Sequence, residues 1–553
     1  MVMFLLLAVL AYAWLGYPLA LALLARRRKA SVNGHRSRGE GEPSVGGSGS
    51  SGPSTVHRLP LASPKSRGEG GATVSILLAA HNEEESIASR LDNLLACIDH
   101  LLAEIASASA FQLSGFIPHP SLSILLGLDA CTDRTGDIAR RYAEEHPNIR
   151  VFDFKQRRGK VAVLKDLVRA SADTGISPVS TEHRPLNTEH FLVFTDANTD
   201  FASDALVYLL APFSDPAIGG VCGRLVLKER GNCHEESRRD TRTGETCRDG
   251  AAASGRPITA RSPFCAFLRL FAANNSGSGS PEGRYWVLEN WMKECESALD
   301  SCLGANGAIY AMRRDLFWQG IPGNAIIDDF VLGMKVREQG FRFLYEPKAL
   351  AVEELPEQTH EWRRRVRIGA GGYQALQLCL RCLLPLRREG IATKRHEKGR
   401  TKRDSQKIAK AREGDDVRSG LSSVLFPWMF WSHKLLRWFT PHMLLALVAL
   451  AGWQVASGEW RVGEGILSTV ALLAGATGAG TVLVARAVPS SLLCRCAPLR
   501  PLLLWDHFVT MQAALLAGFL RFCRGGLGGA WERTPRGERG REPSPPHDRG
   551  AEE

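Results

Sequence analysis

The stretch Phe191-Leu-Val-Phe-Thr-Asp196-Ala-Asn198-Thr-Asp200 limits the fold more than any other part of this chain. Four consecutive apolar residues leave no polar face, so a strand here is covered on both sides, as parallel strands are. The run stops at Thr195 and a carboxylate, which puts Asp196 at the carboxyl end of the strand. In open α/β sheets, ligands bind just beyond those ends. Asp196 and the amide oxygen of Asn198 offer a hard cation two oxygen donors on a tight turn. Mg²⁺ or Mn²⁺ held in this way usually carries substrate phosphates as well. The same residues also suit an Asx-turn with no ligand, so the metal reading depends on what flanks them.

Three earlier segments repeat the pattern. Val74 to Ala80 reads as a first strand, with His81-Asn-Glu-Glu-Glu-Ser86 opening a helix whose acidic first turn suits the helix dipole. Leu122 to Leu128 ends at Asp129, followed by a helix over Ile138 to Glu145. Arg150 to Phe154 precedes Gln156-Arg-Arg158-Gly159-Lys160 and another helix. Strands alternating with helices predict an α/β domain around a Rossmann-like, mostly parallel sheet. Further on, a helix is expected over Leu288 to Leu299, then Gly304-Ala-Asn306-Gly-Ala with Arg313-Arg314, then Asp328-Asp329 opening a helix to Gln339. Glu361-Trp-Arg-Arg364-Arg-Val-Arg367 carries a dense run of cations.

Met1 to Leu24 is apolar, uncharged and long enough to span a bilayer. Its positive residues, Arg26 to Lys29, follow the apolar run, whereas a cleaved signal peptide carries them before it. The positive-inside rule then puts residue 30 onward in the cytoplasm. Met443 to Ala456, Ile466 to Val484 and Leu502 to Leu520 add three apolar stretches; the last holds Asp506, His507 and Gln512. The net charge of +11 need not mean nucleic acid, because the cations sit beside these apolar segments. The thirteen cysteines are scattered, as buried or free thiols in a reducing compartment would be.

The expected organisation is a transmembrane helix over 1–25, a flexible basic linker over 26–72 and a catalytic domain over 73–385. That domain is interrupted by a low-complexity insertion over 230–283. A basic loop and an interfacial amphipathic helix follow over 386–440, then about three membrane helices over 441–521 and a disordered tail over 522–553. With four spans the Arg-rich tail falls outside the cell, in conflict with its charge.

Asp129, Asp196, Asp328 and Asp329 thus end or begin predicted elements, as does the Glu83 cluster, with cations at Arg158 to Lys160 and Arg363 to Arg367. A nucleotide-sugar transferase needs this inventory: a carboxylate for the nucleoside, one for a metal on the diphosphate, cations for the leaving group and a base for the acceptor. Each also has a plainer use, as a helix cap or dipole partner.

Over Val74 to Ile368, insertion excluded, the chain resembles the membrane-integrated family 2 glycosyltransferases, among them the synthases of cellulose, hyaluronan, chitin and poly-N-acetylglucosamine. Val74 to Glu84 looks like the opening strand of that family, Asp129 falls at its first aspartate, near the uracil, and Thr195-Asp196-Ala-Asn198 falls at its D-x-D position. The Gly304 to Ala308 segment looks like the acceptor-side loop, and Asp328-Asp329 matches the pair whose second member is the base. Asn198 replaces the second aspartate. Where processive polymerases have Gln-x-x-Arg-Trp, this chain has Arg364-Arg-Val-Arg367-Ile368, and losing the Trp weakens the case for processive synthesis.

The resemblance implies a GT-A domain on the cytoplasmic face of the plasma membrane, with membrane lipids as neighbours. It implies inverting transfer of a hexosyl or N-acetylhexosaminyl group from a nucleoside diphosphate sugar, with UDP expected, to a polysaccharide or glycan. Transfer to a polyprenyl lipid is the alternative, and a non-catalytic membrane scaffold of the same fold is the rival. The implied roles are Asp329 as base with Asp328 beside it, Asp129, Lys160, Asp196, Asn306, Arg364 and Arg367 on substrate, and Asp196 with Asn198 on the Mg²⁺ or Mn²⁺.

Overall fold

A computed structural model describes residues 2–36, 72–107, 117, 120–172, 189–228, 281–354, 358–385, 423–458 and 500–525. The 230–283 insertion, the basic stretch 387–412, the apolar stretch 466–484 and the tail beyond 525 lie wholly or almost wholly outside the described residues, as does most of the linker. The helix entering that linker runs further than expected, to Arg36.

Eight strands form one sheet: β1 (Thr73–Ala80), β2 (Ser121–Asp129), β3 (Ile149–Phe154), β4 (His190–Asp196), β5 (Asp200–Phe201), β6 (Ile218–Lys228), β7 (Ile309–Arg313) and β8 (Arg342–Glu354). Their order is β3-β2-β1-β4-β7-β6-β8-β5. β1 to β4 pair in parallel, as their apolar runs predict, and every residue of β1 is buried. The other half is mixed. β7 runs antiparallel to β4 and β6, β6 pairs parallel with β8, and β5 pairs antiparallel with β8. The expectation of a mostly parallel sheet is corrected there. β7 lies inside what reads as the Gly304 to Arg314 loop, because Ile309 to Met312 can bury both faces between two strands. This is a GT-A-like α/β fold.

The helices are α1 (Val2–Ala11), α2 (Tyr17–Arg36), α3 (Ile87–Ala106), α4 (Thr135–Glu145), α5 (Lys160–Ala170), α6 (Ala205–Leu210), α7 (Pro281–Leu299), α8 (Asp328–Glu338), α9 (Gln358–Leu378), α10 (Thr440–Ser457) and α11 (Arg500–Cys523). A π-turn, Tyr12–Gly16, joins α1 to α2. α3 begins six residues later than His81. His81 to Ser86 instead form a turn in which Asn82 adopts a φ of 55° and exchanges hydrogen bonds with Thr132, while the Glu83 N–H donates to Thr135 Oγ1 at 2.8 Å. The loops after β1 and β2 are thereby closed onto each other.

Two apolar cores form, one on each face of the sheet. One gathers Ile76, Leu78, Leu91, Leu126 and Val193 under α3 and α4. The other holds Leu77, Leu125, Phe194, Tyr310 and Phe330, and it also takes in Tyr17, Leu21 and Ala25 of α2 with Phe426 and Phe430. Helix α2 therefore packs into the apolar core on that face of the sheet. Val2–Arg28 and Thr440–Ser457 are the two helices among the described residues that are long and apolar enough to cross a membrane. α11, expected as a span, lies along α9. A Cβ on Gly518 would meet the Ala370 nitrogen at 2.6 Å and the Val366 carbonyl oxygen at 2.9 Å, so no side chain fits between the two helices.

Candidate active site

Asp196 leaves the carboxyl end of β4 half-buried, and its Oδ1 accepts a 2.6 Å bond from Lys160 Nζ, the first residue of α5. Asp329 stands in the first turn of α8, where its Oδ1 caps the Phe330 N–H at 2.8 Å. Its Oδ2 is turned toward the other two. A Cβ built on Gly307 would lie 3.4 Å from Asp329 Oδ2, 3.5 Å from Asp196 Oδ2 and 3.6 Å from Lys160 Nζ. Gly307, without a side chain, leaves the space where these three groups converge.

The electrostatics follow from burial among like and unlike charges. Burial works against the Lys160 ammonium, but Asp196, then Asp328 and Asp329, outweigh it and hold its pKa above the ordinary value. Asp328 is 7% exposed, and its Oδ2 has no hydrogen-bond partner. Burial, with Asp329 and Asp196 adding to it against Lys160, pushes its carboxyl up to about 6. Burial raises Asp329 as well, while Lys160 and the Phe330 N–H oppose the rise. Arg367 is lowered by burial and by Arg364, with Asp328 and Asp196 pulling the other way.

Two expected substrate contacts are occupied by the protein itself. Asp129 was expected to read the nucleoside. It is 1% exposed, and its oxygens accept the Arg158 N–H at 2.7 Å and the Gly159 N–H at 2.9 Å. It clamps the turn that delivers Lys160, a turn in which Gly159 has a φ of 85°. Asn306 was expected to face the acceptor. It is buried, its Oδ1 accepts from Lys293 Nζ at 2.6 Å and its Nδ2 donates to the Gly223 carbonyl at 3.0 Å. Arg364 rests on Glu361 at 3.3 Å, as its neighbour Arg365 does at 2.7 Å. Arg313 and Arg314 leave the site altogether, binding Glu189 at 3.0 Å and Ser171 at 3.0 Å. Asn198 is half-buried on the turn after Asp196. Among the described residues no group of three His, Cys, Asp or Glu side chains gathers as metal ligands.

The sequence reading missed the residues that support this site from behind. Arg90, fully buried, donates to Thr195 Oγ1 at 2.6 Å, and Thr195 Oγ1 donates to the Ala308 carbonyl at 2.8 Å. Lys293 is 3% exposed between Glu289 and Glu296 of the same helix. Charges at i, i+4 and i+7 on an otherwise apolar face were the available signal.

Residues 75–276 match the family described as Glycosyl transferase family 2. Comparison with curated proteins finds no match. Among solved structures, the chain is similar to the mannosyltransferase PcManGT of Pyrobaculum calidifontis in complex with GDP-Man and Mn²⁺, at 18% identity over 95% of this chain and 99% of that one, with a TM-score of 0.49. It is similar more remotely to GalNAc-T7 with UDP, GalNAc and Mn²⁺, at 12% identity over 52% and 44% of the two chains, with a TM-score of 0.28. TarS residues 1–349 of S. aureus stand at 12% identity, 56% and 69% coverage and a TM-score of 0.27. None of these distant likenesses bears on donor or acceptor. The family match falls on β2 and β4, which carry Asp129 and Asp196, and on the start of α5, which carries Lys160; residues 75–276 are thus similar to the family 2 glycosyltransferases, and the chain is a glycosyltransferase.

Proposed function

We propose that this protein is a membrane-associated inverting glycosyltransferase that moves a sugar from a nucleoside diphosphate donor to an acceptor hydroxyl or phosphate. The convergence of Asp329 Oδ2, Asp196 Oδ2 and Lys160 Nζ around Gly307 carries the reading. As the acceptor oxygen attacks the anomeric carbon, Asp329 takes its proton and the bond from that carbon to the diphosphate oxygen breaks. Lys160 and Arg367 balance the charge that collects on the leaving diphosphate. One displacement inverts the carbon and requires no enzyme nucleophile. Asp196 Oδ2, the oxygen not bonded to Lys160, and Asn198 suit a divalent cation that needs one or two protein oxygens besides the phosphates. When bound, Mg²⁺ or Mn²⁺ supplies further positive charge to the diphosphate.

The first helix and α10 would anchor the domain at the plasma membrane, and Arg26 to Lys29 would keep the catalytic side in the cytoplasm. The acceptor is a glycan or a lipid. One contact favours the lipid: Phe330, next to Asp329, packs edge-on against Trp438 at 5.7 Å, and Trp438 lies two residues before α10 begins. With Asp129 committed to the Lys160 turn, uridine is not singled out, so UDP- and GDP-sugars both belong in the assay.

Nucleotide release from purified protein with Mn²⁺ and a panel of UDP- and GDP-sugars tests the reading. Asp196→Ala should abolish release while the protein still folds. Unchanged turnover with unchanged metal dependence would remove Asp196 from the site. Partition of radiolabelled sugar into organic solvent or water then separates lipid from glycan acceptors.

A further inference from the structure

Tyr17, of the amino-terminal helix, is fully buried between Trp428 and His433, with ring centroids 5.2 and 5.8 Å away. Its hydroxyl donates to Glu296 Oε1 at 2.8 Å. Glu296 is 0% exposed. Its Oε1 also meets His433 Nδ1 at 2.6 Å, and its Oε2 accepts the Leu303 N–H at 3.2 Å. Leu303 leads directly into Gly304, at a φ of 76°, and so to Gly307. One turn before Glu296, Lys293 of the same helix holds Asn306. Helix α7 thus grips the loop at two points, Leu303 and Asn306, on either side of the Gly304 turn.

We propose that Tyr17 is a positioning residue for sugar transfer, fixing Glu296 so that α7 holds the Gly304–Ala308 loop at the spacing that Asp329, Asp196 and Lys160 require. A carboxylate buried to this degree keeps its orientation through the bonds made to it. Two of them, from Tyr17 and His433, converge on Oε1 and leave Oε2 for Leu303. Without the phenol the carboxylate is held at Oε1 by His433 alone, and the loop loses its fixed anchor. The N-terminal segment then contributes to rate as well as to attachment. The inference rests on the loop being a wall of the active site.

The test compares Tyr17→Phe, which keeps the ring, with Leu21→Ala, which removes core packing from the same helix without touching a hydrogen bond. Both are assayed as full-length protein for nucleotide release from UDP-glucose, UDP-N-acetylglucosamine and GDP-mannose, beside Asp196→Asn. Tyr17→Phe should lower kcat about ten- to a hundredfold, as a misplacement near 1 Å does, with KM for the donor within about twofold. Exchange of the Leu303 amide proton should quicken in that variant. Leu21→Ala should lower the melting temperature and leave kcat and the Leu303 exchange near wild type. Glu296→Gln should reproduce the kcat loss, and it decides the matter if Tyr17→Phe does not fold. Normal kcat and slow Leu303 exchange in Tyr17→Phe, with Asp196→Asn inactive, would overturn the inference alone. Parallel losses of kcat and stability in Tyr17→Phe and Leu21→Ala would also overturn it, because Tyr17 would then be packing only. An active Asp196→Asn would instead overturn the reading of the site.

Discussion

Asp328 and Asp329 are neighbours with different surroundings, and the difference assigns their work. Asp329 spends one oxygen on the Phe330 N–H and turns the other into the space beside Lys160 and Asp196. Asp328 is buried with an unpartnered oxygen. Asp329→Asn keeps shape and hydrogen bonding but cannot take a proton, so transfer should fall by about 10²–10⁴ while nucleotide affinity survives. Asp328→Asn should cost less activity. It should also raise stability at neutral pH, by on the order of 1–3 kcal/mol. The sign follows from a folded-state pKa raised to about 6 from 3.8: stability is fullest below 3.8 and is lost as pH rises through 6. The gain of Asp328→Asn should therefore appear above pH 6 and vanish below pH 4, as read from melting curves. Normal transfer by Asp329→Asn with Asp328→Asn inactive would exchange their roles. At this scale the sequence was a good guide to carboxylates and a poor one to partners. Asp129, Asp196 and Asp329 were legible as residues at element ends. That Asp129 and Asn306 are consumed by backbone amides, a carbonyl and Lys293 was not, because those bonds join positions up to 83 residues apart.

At the scale of elements, β1, β2 and β4 were legible as short apolar runs that end in polar residues, and the edge strand β3, mostly half-buried, was legible from its place in the alternation of strands and helices. The antiparallel half was not. Ile309 to Met312 are too few to announce a strand, and the glycines before them suggested a loop. The turn at Gly304 depends on that glycine twice. Its φ is 76°, and a Cβ there would meet Phe330 Cδ2 at 2.3 Å and Phe330 Cα at 3.0 Å. Gly304→Ala should destabilise the fold by roughly 1–3 kcal/mol through overpacking alone. It should also slow transfer by shifting Phe330 and its neighbour Asp329. A variant with wild-type melting and wild-type turnover would show that the loop yields freely.

For the molecule as a whole, the sequence reads Met1 to Leu24 as a span, and Val2–Arg28 is long and apolar enough to cross a membrane, but the burial of its second half was not legible. Nothing in its composition says that Tyr17, Leu21 and Ala25 enter the core beneath the sheet. The same holds at the other end of the described chain, where Gly518 lies against the backbone of α9. That contact sets the order in which the enzyme can be completed. Helix α9 carries Arg364 and Arg367, and its Gly371 abuts Ile326 and Ile327, which lead into Asp328. Its outer side waits for a helix roughly 150 residues later, on the order of ten seconds of synthesis at 5–20 residues per second. Until α11 is made, α9 lacks the helix that packs along its Gly369 and Ala370, although Trp438 already backs it at Gly372 and Tyr373, so sugar transfer should wait for the residues beyond 500. A chain ended at residue 499 should reach the membrane and bind Lys160-dependent nucleotide weakly or not at all, with turnover lost. Full turnover from that truncated chain would show that α9 holds its place unaided.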